Sequence, residues 1–273
     1  MKISKSLILA ILFIFPISLV QAGVIIKSSE RSKHMNLDMT TTIYIEKDRL
    51  RVETADADQN QVIIFRGDKN LFWMIDNDKK TYSEMTQKDM EKLKVQMDNA
   101  QKMMQEQMKN MPEEQRKMME KMMPGGMSKA KKVKTEYRKK SSGVKVGKWS
   151  CTHYEEFKEG KKSGEMWTAD WNQIGLDRTD MQAMGQLGKF FEALSQETSD
   201  LMQIGSEEWE KEQGMSGMPV RWIDYKDGES GSEGAVNEIL KQNIKPSFFE
   251  IPSGYPKGES PWDQQGGPGM NQF

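Results

Sequence analysis

One cysteine, Cys151, stands in a chain of 273 residues. No disulfide can form within it, so the fold must be held by burial and hydrogen bonding alone. Histidine is nearly as scarce, with two residues, which leaves few bases for a hydrolytic triad and few imidazoles for a metal site. Neither sign of charge dominates: 40 basic side chains face 41 acidic ones. That balance argues against nucleic acid as a partner. The motifs of catalysis are missing as well, with no nucleophile elbow, dinucleotide glycine pattern, phosphate loop or zinc-protease helix. The sequence therefore speaks against an enzyme and calls for no cofactor.

Long apolar runs are confined to one place. Lys2 and Lys5 precede an apolar stretch from Leu7 to Val20, and Val20-Gln21-Ala22 offers small residues at cleavage spacing. Residues 1–22 read as a secretory signal peptide cut after Ala22. A membrane anchor would need roughly 20 apolar residues, and no later stretch supplies them. The expected product has no integral membrane segment after cleavage. No cysteine stands at the new terminus, so a lipid-attached product is not indicated, and the expected location is the periplasm or outside the cell.

Methionine is abundant, at 23 residues. It falls in a seven-residue rhythm: Met90, Met97, Met104, Met111 and Met118, with Leu93, Ala100, Met108 and Met122 between. Such spacing predicts an amphipathic, coiled-coil-like helical face of deformable side chains. Thr86 is the expected cap, with Asp89 three residues on. Pro112 fits the first turn of a second helix and not a helix interior, so the segment at about 86–127 divides near Met111, and Pro124-Gly125-Gly126 ends it. Met90, Met97, Met104, Met108, Met111, Met118 and Met122 are the candidate surface for a hydrophobic ligand or an envelope protein. Pairs one turn apart, Met104 with Met108 and Met118 with Met122, also suit Cu(I), and methionine sulfoxide formation would make the segment an oxidant sink. Helical packing explains the pattern without either.

Strand signals flank this segment. Leu37, Met39, Thr41, Ile43 and Ile45 alternate with Asp38, Thr40, Thr42 and Glu46, the pattern of a half-buried strand. A turn at Lys47-Asp48 leads to a strand with Leu50 and Val52 inward. Val62 to Phe65 and Leu71 to Ile75 are short continuous apolar runs, and Asp76-Asn77-Asp78 turns the chain towards Thr81 and Tyr82. Connections so short make antiparallel hairpins. The second block opens near Val133, Thr135 and Tyr137. It sets Trp149, Cys151, His153, Glu155 and Phe157 on one side of a strand, loops at Glu159-Gly160-Lys161, and returns with Trp167, Ala169 and Trp171 on one face. A helix is expected from about Asp180 to Leu201, on the spacing of Met184, Leu187, Phe191, Leu194 and Leu201 and a capping box of Thr179 with Gln182. Strands resume at Val220 to Tyr225 and around Val236 to Ile244. From residue 256 to 273 the composition is that of a disordered tail.

Four of these stretches carry a family likeness. Lys79-Lys80-Thr81-Tyr82, the run from Met111 to Arg116, Gly147-Lys148-Trp149-Ser150-Cys151-Thr152-His153-Tyr154, and Phe249-Glu250-Ile251-Pro252-Ser253-Gly254-Tyr255 together resemble an exported bacterial family known as domain of unknown function 4412. That family is similar in architecture to the outer-membrane lipoprotein carriers. The resemblance implies an α+β fold for residues 23–255: a curved antiparallel sheet, an incomplete barrel around helices, with the Met-rich helical pair inserted. It transfers no site residue, and fold alone does not fix function.

Smaller constellations have plain explanations. Cys151 and His153 point to one side of a strand, where a buried thiol beside a half-exposed imidazole accounts for them better than half a metal site. Asp56, Asp58 and Asn60 mimic a calcium loop, but Gln61 and Gly67 occupy its glycine and glutamate positions. Glu207, Glu208, Glu210 and Glu212 read as a solvated acidic face. The expected function is non-enzymatic binding of a hydrophobic ligand, lipid or envelope polypeptide.

Overall fold

The computed structural model describes residues 22–33, 37–56, 60–109, 111–113, 115, 135–192, 210–211, 214–226 and 228–259. The first half is a meander of β1 (Gly23–Ser32), β2 (Leu37–Glu46), β3 (Arg49–Ala55), β4 (Asn60–Arg66), β5 (Leu71–Asp76) and β6 (Thr81–Thr86). Helix α1 (Gln87–Lys109) follows. The second half holds β7 (Thr135–Val146), β8 (Trp149–Lys158), β9 (Lys161–Ala169), the short helices α2 (Trp171–Ile174) and α3 (Gln182–Phe191), β10 (Met218–Lys226) and β11 (Glu229–Gln242). These strands form one antiparallel sheet in the order β6-β5-β4-β3-β2-β1-β11-β10-β9-β8-β7. The sheet is curved and does not close, leaving β6 and β7 as its edges.

β1 is the strand that periodicity does not reveal. Val24-Ile25-Ile26 is short, and Lys27 to Arg31 is polar, yet β1 pairs with both β2 and β11 and joins the two halves. Its alternation sorts the core: Val24 and Ile26 pack into one apolar cluster and Ile25 into another. The same division explains the continuous runs, since Phe65 and Phe72 enter the first cluster while Ile64 and Trp73 enter the second. A strand covered on both sides needs no polar face.

The larger cluster is roofed by α2 and α3. Phe190 of α3 is buried edge-on to Phe65 at 5.8 Å and Phe72 at 5.7 Å, with Ala183 and Leu187 beside it. Trp171 belongs to α2 and not to the preceding strand, because Asp170 caps that helix by accepting from the Asn172 amide at 2.9 Å. The turn before α3 is capped by Asp177 and Asp180, the Asp177 amide donating to Asp180 at 2.7 Å, and not by Thr179 and Gln182. The expected helix extends in the described residues only to Phe191.

Glu210 departs from the acidic-face reading. It is buried, and its carboxylate accepts from Trp171 Nε1 at 3.0 Å and the Gly217 amide at 3.1 Å while pairing with Arg178 at 2.5 Å. The other three glutamates of that run lie outside the described residues.

The smaller cluster is covered by the chain after β11. Ile244, Phe248, Phe249, Ile251 and Tyr255 pack on the sheet. Arginines clasp this hook: Arg51 donates to the Phe248 carbonyl at 3.3 Å and lies over its ring, Arg49 lies over Phe249, and Arg66 pairs with Glu250. Residues 256–259, at the start of the expected tail, are among those described, and residues 260–273 lie outside them. The Tyr82 amide donates to Pro256 and the Gly258 amide to Tyr82, so this strip lies along edge strand β6. The other edge, β7, carries Lys139, Lys140 and Lys145 and two register shifts, features that discourage edge-to-edge association.

Candidate functional site

The Met-rich helix starts as the sequence implies. The Asp89 amide donates to the Thr86 hydroxyl, and the Thr86 amide donates back to Asp89 at 3.2 Å. Met90 is fully buried in the larger cluster with Leu93 packed against it. Beyond that turn the helix changes character. Met97, Met104, Met108 and Met111 are half-buried and belong to none of the core clusters, while Val95 and Met103 are exposed, at 58% and 64%. The seven candidate methionines are therefore not equivalent: Met90 is an anchor, the next four form a ridge, and Met118 and Met122 lie outside the described residues, as does most of the expected second helix. Met104 and Met108 sit one helical turn apart.

The aromatic strand residues do not line an open bowl. Trp149 and Trp167 are buried in the cluster that α2 and α3 cover, and Trp73 lies on the opposite side under the hook. The space a hydrophobic ligand would enter is taken, among the described residues, by side chains of the chain itself.

A polar arrangement emerges from the register instead. Directly paired residues point to one side of a sheet, and the pairings set His153, Trp167, Arg221, Ala235, Ser29 and Thr40 in one row across six strands. The next row on that side is Glu155, Glu165, Ile223, Glu233, Arg31 and Asp38. Small residues at Ala235 and Ser29 leave a depression between larger neighbours, a groove of ≈ 490 Å³ bordered by Arg221, Glu233, Arg31, Asp38, Met39 and Thr40. Glu30 also borders it, and burial raises the Glu30 carboxyl despite hydrogen bonds from Trp222 and Ser232.

One flank of the groove is a layered stack. His153 lies parallel to Trp167 at 4.3 Å, and the Arg221 guanidinium lies 4.8 Å from the centre of the Trp167 ring. His153 is buried, not half-exposed, and its Nε2 is 2.8 Å from Glu165. Glu165 also accepts from Lys162 at 2.5 Å and Tyr225 at 3.1 Å. Burial pushes the Glu165 carboxyl up, but those donors outweigh it and hold it below the ordinary value. Hydrogen bonds from Lys162 and then Lys140 bring Glu155 down to about 2. Cys151 shares the side of His153, but it is 1% exposed and burial raises its thiol, so it is no ready nucleophile.

Sequence reasoning missed Arg221, Glu165, Lys162, Tyr225 and Glu233 because each draws its meaning from a cross-strand neighbour. The spacing of Cys151 and His153 was the visible trace of that face.

A comparison with protein-family models finds no match, and a comparison with curated proteins finds none either. Among solved structures, the chain is similar to an uncharacterized conserved protein from Thermus thermophilus, at TM-score 0.41 and 7% identity over 87% of this chain and 90% of that one. It also matches PNGF-II at TM-score 0.35 and 9% identity, over 86% of this chain but only 30% of that one. No described helix is long and apolar enough to cross a membrane.

Proposed function

We propose that this is an exported, non-enzymatic binding protein whose Met-faced arm, α1, docks an apolar segment of another envelope polypeptide. One observation carries the reading: the helix commits Met90 and Leu93 to the core and then presents Met97, Met103, Met104 and Met108 without a place in any core cluster. Flexible thioether side chains adapt to varied apolar partners. Export rests on the leader-like residues 1–22, and the first strand begins at Gly23, directly after the expected cleavage site. The likeness to the unknown-function family and to the lipoprotein carriers belongs to the same reading. Arm docking is favoured over a lipid in the sheet's interior because Phe190, Leu187 and Ala183 already fill that interior.

The test is suppression of aggregation. Full-length mature protein is mixed with an unfolding envelope polypeptide and light scattering is followed. The wild type should suppress scattering. Replacement of Met97, Met103, Met104 and Met108 by Gln should abolish suppression while leaving the circular dichroism melting curve in place. Equal suppression by that variant rejects the proposal, and lipid found by mass spectrometry in the purified protein would favour the interior instead.

A further inference from the structure

We infer that the groove over Ala235 and Ser29 binds a short peptide with free termini, its carboxylate held by Arg221 and its ammonium by Glu233. Two charges that make no ion-pair contact among the described residues carry this. Arg31, Arg49, Arg51, Arg66, Arg138 and Arg178 each hold a carboxylate at ion-pair distance. Arg221, among the described residues, holds none and rests on the Trp167 ring. Glu233 is half-buried and makes no ion-pair contact among the described residues, although Arg31 stands directly opposite it on β1 and feels its field.

The two are neighbours. Arg221 pairs with Ala235, and Glu233 is two residues along the same side of β11. Diagonal cross-strand residues stand roughly 7–8 Å apart, within reach of long side chains. Opposite charges so placed ordinarily meet, yet this arginine leans the other way, onto β9. Trp167 holds it there, backed in turn by His153. Between the charges the sheet offers the Ala235 methyl and the Ser29 hydroxyl, and the groove lies over them.

Ligand class follows from the two charges. A dipeptide carries a carboxylate and an ammonium at opposite ends of a backbone that spans at most about 3.3–3.6 Å per residue, and that backbone can lie over Ala235 and Ser29. An inorganic anion would leave Glu233 unused and a metal ion would leave Arg221 unused. A carboxylate on a guanidinium and an ammonium on a carboxylate are the stronger, charge-assisted kind of hydrogen bond. This site is separate from the Met-faced arm, and neither proposal depends on the other.

The experiment titrates Ala-Ala, N-acetyl-Ala-Ala and Ala-Ala amide into full-length protein, read by tryptophan fluorescence and calorimetry. Saturable binding of Ala-Ala is expected, with each capped peptide bound more weakly by roughly tenfold or more, about 1.4 kcal/mol. Arg221→Gln should erase the preference for the free acid over the amide. Glu233→Gln should erase the preference for the free amine over the acetylated form, and thermal melting of both variants reports folding. Equal affinity for all three peptides overturns the inference. So does the absence of saturable binding, or a folded Glu233→Gln variant that still prefers the free amine.

Discussion

The Gly258 amide donates to the Tyr82 carbonyl at 2.8 Å, tying the end of the described chain to an edge strand of the sheet. Lys257 adds a bond to Glu84 at 3.0 Å. Removing residues 254–273 should strip β6 of this cover and leave its backbone groups unpaired. The expected outcome is self-association, measured by light scattering during size-exclusion chromatography. A truncated protein that stays monomeric would show the strip is not a guard.

Phe190 meets Phe65 and Phe72 edge-on and is 4% exposed. Replacing it with Ala removes a ring from a packed interior and should cost about 3–5 kcal/mol of stability. Urea unfolding measures this as a lower midpoint at unchanged slope.

Within α1 the same substitution should have unequal consequences at two positions. Met90 is fully buried, and Met90→Ala should cost about 2–5 kcal/mol. Met103 is 64% exposed, and Met103→Ala should change stability by no more than about 0.5 kcal/mol. Comparable losses at both sites would mean that the whole helix is packed as tightly as its first turn.

Glu210 gathers Trp171, Arg178 and Gly217. Its removal leaves buried donors without an acceptor and Arg178 without its partner. Glu210→Ala should destabilise by about 3–5 kcal/mol, and its thermal melting should show it.

Acid sensitivity should concentrate on Lys162. The hydrogen bond from Lys162, with help from Lys140, brings Glu155 from the usual 4.5 to about 2, and Glu165 is also lowered. A depressed folded-state value contributes stability that is present above about pH 4.5 and is lost as pH falls towards about 2. Lys162→Gln should flatten that limb of a melting-temperature profile between about pH 5 and 2. An unchanged acid limb would show that other carboxylates set it.

The strand meander was legible because local alternation and short polar turns write themselves into sequence: Glu159 and Gly160, both at positive φ, close the β8–β9 hairpin where the loop was expected. The cap at Thr86 was legible for the same reason. β1 was not, since its apolar part is three residues long and its role comes from a partner more than 200 positions away. Nor was the filling of the interior by Phe190, because alternation does not tell an occupied concavity from an empty one. The groove was hidden most completely, as a row of residues drawn from six strands has no spacing of its own.

The pairing of β1 with β11 also dictates timing. A ribosome delivers the opening strand first and its far neighbour almost last, so one side of β1 stays unsatisfied until nearly the entire polypeptide has been released. Closing a loop of that length precedes the reward of making it. The sheet can therefore be completed around β1 only once nearly the whole chain is available to it.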